Sequence, residues 1–394
     1  MGRLRLEATI NQNLTTTLPL PTFGSTVNRA YPVNASLISI DTHLPTSMIQ
    51  QWNLQLQQQL SSHTSLNIAY VGTSSQHLRS YFNLNAQVFD EAPNTYTYQP
   101  FSTINRILAN GASNYNGLQV FLNSTMSHGI QYTAAYTWSH SLDDSNGAFN
   151  TGTSGAGIFI LPTGPDFKAN YGNSDQDQRQ VFTFSALADL PFGRGKRFGA
   201  NIPTSLNEVI GGWHLNAITT LESGTPVTVT TGDYFYQAPD GTTSLVGASV
   251  TNRADITKPV HYTKSLHEWF DTTSFTHPAV INPNGQTSTF IQPGSLGRNQ
   301  LFGPGYRDLD TSLFKDFNFT EKIVGQLRAE AFNVTNTPAF TNPNGNLDNC
   351  SFVGNTVTST CSPNMGSDSG TFGQINATRT HSERQLQLAF RLSF

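Results

Sequence analysis

The sequence predicts an all-β fold, specifically the antiparallel strands of a transmembrane β-barrel. Three observations predict it: period-two alternation in about ten segments, a low charge content, and connections that alternate between short and long. Period two sends successive side chains to opposite faces of a strand, so an alternating segment has one apolar and one polar face.

Of the 394 residues, 37% are hydrophobic and only 12% charged. A soluble globular protein carries about twice that charge. Outer-membrane barrels replace surface charge with an apolar band facing lipid and a neutral, hydrated lumen. The 26 Phe and 13 Tyr suit strands and aromatic girdles. With a formal net charge of −4 and no basic stripe, nucleic acid is not an expected partner. No apolar run reaches the ~18 residues of a membrane helix, which says nothing against a barrel. Met1–Leu6 has basic residues but no apolar stretch after them, so no secretory signal is visible.

Taken in order, Gly2–Gln12 is a weak first strand, followed by a polar stretch to about Ser47. Met48–Leu60 sets Trp52, Leu54, Leu56 and Leu60 against Asn53, Gln55, Gln57 and Gln59, and Ser65–Leu78 completes a hairpin with it. Tyr115–Ser124 and Ile130–Leu142 form the next pair, the latter with Tyr132, Ala134, Tyr136 and Trp138 on one side. Gln178–Leu190 and Val209–Glu222 flank a break at Pro191–Lys196. After a long non-periodic stretch over 223–305 come Tyr306–Phe319 and Ile323–Val334, and the chain closes on Gln385–Phe394. In that last strand Leu386, Leu388, Phe390, Leu392 and Phe394 alternate without a break against polar or small residues.

Short connections near 61–64, 125–129, 191–208 and 320–322 alternate with long ones. Transmembrane barrels sort their loops this way, with short periplasmic turns and long external loops. The last strand therefore runs inward, with Phe394 at the periplasmic rim. Cys350 and Cys361 lie in one external loop, either as a local disulfide or as two free thiols.

Motifs for chemistry are weak. Ser312-Leu313-Phe314-Lys315 matches S-x-x-K, but in an alternating strand rather than at a helix start. Gly193-Arg194-Gly195-Lys196 lacks the spacing that cradles phosphate and reads as a turn. Asp143, Asp144, Asp166, Asp175 and Asp177 cluster in one external loop without a calcium-loop register, so a solvated loop is expected. Histidines are scattered without metal spacing, and no catalytic site, metal or cofactor is expected. Charge facing lipid costs about 2–4 kcal/mol near the midplane. The face holding Arg328 and Glu330 with Gln326 is therefore expected to line the lumen.

Several segments resemble TonB-dependent outer-membrane receptors of the Oar-like type. They include Trp52–Leu60 (WNLQLQQQL), Asn114–Val120 (NYNGLQV), Asp177–Gly195 (DQRQVFTFSALADLPFGRG), Gly212–Val227 (GWHLNAITTLESGTPV), Asp308–Phe317 (DLDTSLFKDF) and Arg328–Asn336 (RAEAFNVTN). The resemblance implies a plugged barrel of the 22-stranded kind and uptake of a bulky nutrient through a plug domain that contacts TonB. It also implies that the terminal strand, through Phe390, Leu392 and Phe394, is read by the barrel-assembly machinery. Signal, TonB box and plug have no counterpart here, so residues 1–394 are expected to be the carboxy-terminal part of the barrel. The rival readings are a structural or adhesive outer-membrane barrel (or a non-functional receptor fragment), and a soluble all-β carbohydrate-binding protein or hydrolase. Paired carboxylates, which the last would need, are scarce in the strands. Unpaired edges are costly in lipid, so the expected sheet is curved and open rather than a closed barrel.

Overall fold

The computed structural model describes residues 6–7, 35–83, 101–144, 160–161, 164–165, 167–231, 234–237, 243–246, 252–276, 280–281, 290–291, 294–318, 323–347, 371–380 and 382–394. Nine long strands form an antiparallel meander. They are β1 (Met48–Gln59), β2 (Thr64–Asn83), β3 (Phe101–Ser127), β4 (Ile130–Asp143), β5 (Gln180–Asp189), β6 (Trp213–Glu222), β7 (Tyr306–Asn318), β8 (Val324–Phe332) and β9 (Gln385–Ser393). Each pairs with its sequence neighbours, from β1 to β9. Among the described residues β1 pairs only with β2, and β9 only with β8. The sheet is open, as expected.

The segments 60–63, 128–129, 190–212 and 319–323 link strands at one rim; 84–100, 144–179, 223–305 and 333–384 link them at the other. Sorting by parity therefore holds for the whole meander. Strands β2 and β3, at 20 and 27 residues, are about twice the length that crosses a bilayer and extend past the long-loop rim.

Three elements differ from the sequence reading. Of Gly2–Gln12, the described part is Leu6–Glu7, which pairs with Ile38–Ser39 rather than joining the meander. The polar stretch before Ser47 contains a strand, Ala35–Ile40, parallel to the outer end of β3. Six residues beside a much longer partner leave too little alternation to stand out. Val209 and Ile210 do not begin β6. They end a helix, α1 (Thr204–Ile210), and Gly212 turns the chain at φ 68 before Trp213. A Cβ on Gly212 would meet the Asp316 carbonyl at 3.0 Å, so the close approach and the left-handed backbone both call for glycine.

The buried apolar core lies outside the sheet. Val227, Val229, Ala254, Phe270, Phe275, Leu296, Leu301, Leu347 and Phe372 come together from the long-loop segments 223–305 and 333–384. Backbone bonds lace these segments into one body, here called the cap: Thr230 N–H to Gly345 O (2.8 Å), Leu347 N–H to Thr230 O (2.9 Å) and Trp269 N–H to Gly373 O (2.8 Å). Phe270, Phe275 and Phe372 meet edge to face, with centroids 5.5 to 5.8 Å apart.

Candidate functional site

Directly opposed residues in an antiparallel pair point to the same side, so the register assigns the two faces. Leu54 faces Tyr70, Tyr70 faces Leu118, Leu118 faces Trp138. Further along the sheet Tyr136 faces Phe182, Phe182 faces Leu221, Leu215 faces Leu313, and Leu313 is followed by Ala329 and Leu388. One apolar face thus runs unbroken across nine strands. Its side chains stand in the open: Leu54 is 76% exposed, Leu386 77%, Leu388 80% and Phe390 60%. A contiguous apolar surface of this extent has lipid as its natural solvent.

The opposite face carries Asn53, Gln55, Gln57, Gln119, Thr133, Ser185, Asn216 and Ser312. Toward the short-link rim a polar chain crosses it. Lys196 lies 3.6 Å from Asp189, whose other oxygen is 2.7 Å from His214 Nδ1; His214 Nε2 is 3.2 Å from Asp316. Gln326 donates to Asp316 (2.8 Å), and Arg328 Nε donates to Gln326 Oε1 (2.5 Å) while its guanidinium stacks over Phe314 at 5.1 Å. Alternation in β5, β6, β7 and β8 puts these groups on one side, and Lys196 reaches them from the 190–212 link. The link between strands was invisible in sequence, because it depends on register.

Arg328 and Glu330 stand on this polar face, opposite Ala389 and Gln387. Arg328 is engaged by Gln326 and Phe314. Ser312 opposes Glu330 on the polar face, whereas Lys315 opposes Leu327 on the apolar one. The S-x-x-K tetrapeptide therefore splits its two reactive side chains across the sheet. Lys315 is nearly buried near the short-link rim; its Nζ donates to the Asp316 carbonyl (2.7 Å) and lies 4.5 Å from the Phe317 ring centre.

At the long-loop rim Asp143, Asp144, Asp175 and Asp177 are withdrawn from water, which corrects the sequence reading for those four; Asp166 lies outside the described residues. Asp143, Asp144 and Asp177 are buried. Arg298, 3% exposed, donates to the Asp143 carboxylate and to its carbonyl (2.9 Å), and reaches Asp175 at 3.3 Å. Asn299 joins them by donating to Asp175 Oδ1 (2.6 Å) and Asn173 O (2.8 Å). Arg179 bonds Asp177 (2.5 Å) and, through Nη2, Asn173 (3.0 Å) and His140 (2.8 Å). Asp177 in turn accepts the Ser141 N–H (2.7 Å). Arg298 from a distant segment and Arg179 from the same loop thus neutralise carboxylates at the end of β4 and in the loop after it. Burial pushes the Asp144 carboxyl up to about 6, even though both of its oxygens accept the Ala112 N–H at 3.0 Å. Among the described residues no group of His, Cys, Asp and Glu is arranged to hold a metal.

A family model described as the outer membrane beta barrel domain matches residues 5–387. The chain belongs to that family. Its place is the bacterial outer membrane, which accounts for the exposed apolar face. No curated protein matches it in sequence. Among solved structures it is similar to the outer membrane transporter YddB from Escherichia coli, at TM-score 0.43 and 10% identity. That alignment covers 91% of this chain and 34% of the transporter, so the chain spans about a third of that protein's length.

In the barrel domain, Phe390 and Leu392 project from the apolar side of edge strand β9, and Phe394 follows its last residue, 97% exposed. Cys350 and Cys361 lie outside the described residues. The cap holds a cavity of about 340 Å³, lined by Asp175, Thr228, Thr230, Asn342, Asn344 and Asn346 among others. Thr228 and Asn299 bond reciprocally beside it, at 2.7 and 2.9 Å. These residues come from three separate segments, and no local pattern could have brought them together.

Proposed function

We propose that the chain is a non-enzymatic transport component, the barrel part of a TonB-dependent receptor that takes up a bulky nutrient. One observation carries the reading. A sheet with one lipid-type face and one hydrated face gathers its long connections at a single rim, where they fold into a cap with its own core. The polar face would line the conduit, and the cap would present the ligand-capturing surface to the outside. Energy coupling would come from TonB through a plug domain, and membrane insertion from the assembly machinery acting on the terminal strand.

Growth on a panel of scarce nutrients tests this. A strain lacking the gene should lose growth on the same compound as a strain lacking TonB, and restoring the gene should recover it. If the deletion leaves every nutrient unaffected but abolishes attachment to surfaces, the adhesive reading replaces transport.

A further inference from the structure

Three of the four short-rim links are five residues or fewer; the fourth, 190–212, runs for 23 residues and contains helix α1. Its composition is also unlike theirs. Arg194, Lys196 and Arg197 against Glu208 alone make it a cationic segment in a chain of net charge −4. Phe192 and Phe198 pack on each other with centroids 5.7 Å apart, yet remain 46% and 51% exposed. On the helix Leu206 and Val209 are 46% and 64% exposed, and none of its residues is buried. Lys196 is shared with Asp189, whereas among the described residues the Arg194 guanidinium donates to Thr204 and its backbone N–H to the Asn207 carboxamide oxygen, and Arg197 lies over the Phe198 ring.

The link is continuous with the lipid-facing surface. Trp213, first residue of β6, lies on the apolar face opposite Lys315, and its indole N–H donates to Val209 O at 3.0 Å. The end of the helix is thereby tied to the bilayer side of the rim. Exposed aromatics beside unshared cations, next to an apolar band, match the physical profile of an interfacial segment. The apolar groups enter the headgroup boundary, and the cations meet the negative surface of an anionic leaflet.

We propose that the 190–212 link is an interfacial anchor that binds the anionic phospholipid headgroups at the short-link rim. The test uses trypsin, which cuts after Arg194, Lys196 and Arg197, on the full chain in lipid nanodiscs. One set contains phosphatidylcholine alone and the other a phosphatidylcholine–phosphatidylglycerol mixture. Cleavage within the link tracks the population of its detached form. It should be slower by about thirtyfold in the anionic discs, the scale expected for two basic side chains held at such a surface. A Phe192→Ser, Phe198→Ser double variant keeps every cleavage site and should lose that protection. Equal cleavage of the wild-type chain in both discs would overturn the anchor while leaving the barrel reading intact. Protection that persists in the double variant would also overturn it, since protein rather than lipid would then be the shield. Failure of the chain to enter either disc would defeat the membrane assignment itself, and the anchor with it.

Discussion

The sheet and the cap obey opposite rules. In the cap the large apolar side chains are inside: Phe270 and Val229 are fully buried, Leu347 is 1% exposed and Leu296 2%. In the sheet they are outside, with Leu54, Leu386 and Leu388 each more than three-quarters exposed. Charged groups reverse the pattern. Arg298 and Arg253 are buried in the cap, whereas Arg328 and Glu330 occupy the polar face of the sheet. The cap is built for water and the sheet for lipid on one side. Two parts of one chain therefore need two solvents, and each should fail under substitutions the other tolerates.

The largest effects should come from the cap. Arg298→Ala would leave the buried Asp143 carboxylate and the half-buried Asp175 carboxylate without their counter-ion, a loss of about 3–5 kcal/mol. Phe270→Ala removes the centre of the three-ring cluster, at a similar cost of about 3–5 kcal/mol. Hydrogen exchange over 223–305 should report both losses, while exchange in β1 to β9 stays slow. Equal loosening of the strands would mean that cap and sheet fold as one cooperative unit, and the comparison would break.

The next effect belongs to the sheet. Leu388→Arg places a charge on the apolar face near the middle of β9, at a cost of about 2–4 kcal/mol in a bilayer. Gln387→Arg, one residue away, points to the polar face and should cost little. Urea titration of folded chain in vesicles separates the two. If both variants were equally damaged, the face assignment would be wrong. If neither were, β9 would not be in lipid.

The same division decides what was legible in the sequence. Alternation is local, so the strands around Trp52, Trp138, Phe184 and Leu388 could be read directly, together with the loop parity that orients them. The cap could not. Val227, Phe270, Leu296, Leu347 and Phe372 follow no period, because irregular segments bring them together only in three dimensions. Arg298 and Asp143 are 155 positions apart, and nothing near either announces the other. That is why the acidic loop looked solvated. The polar chain through His214 falls between these cases: each member's face was readable, but its partner across the strands was not. Val209 misled for a third reason, since an apolar pair ahead of Gly211–Gly212 continues the pattern on paper while the backbone turns away.

The smallest effect uses pH to probe the rim where the outer ends of β3 and β4 approach the cap. Asp144 lies one residue beyond the end of β4, buried, with its carboxyl raised to about 6. The folded state therefore holds this proton more tightly than the unfolded chain. Its contribution is favourable at low pH and is lost as the pH rises from about 4 to about 6, to a limit on the order of 3 kcal/mol. Asp144→Asn removes the charge while its amide oxygen can still accept the Ala112 N–H. Near pH 4 variant and wild type should be equally stable at this rim. At pH 8 the variant should be the more stable, by on the order of 1 kcal/mol once the weaker acceptor is set against the absent charge. Exchange of the Ala112 amide and of the outer ends of β3 and β4, compared between the two proteins at each pH, reads this difference. A variant less stable at pH 8 than at pH 4, relative to wild type, would show that the ionised carboxylate is held by Arg298 more strongly than burial opposes it. The buried acids would then be a single charge cluster, not neutralised pairs with a separately strained neighbour.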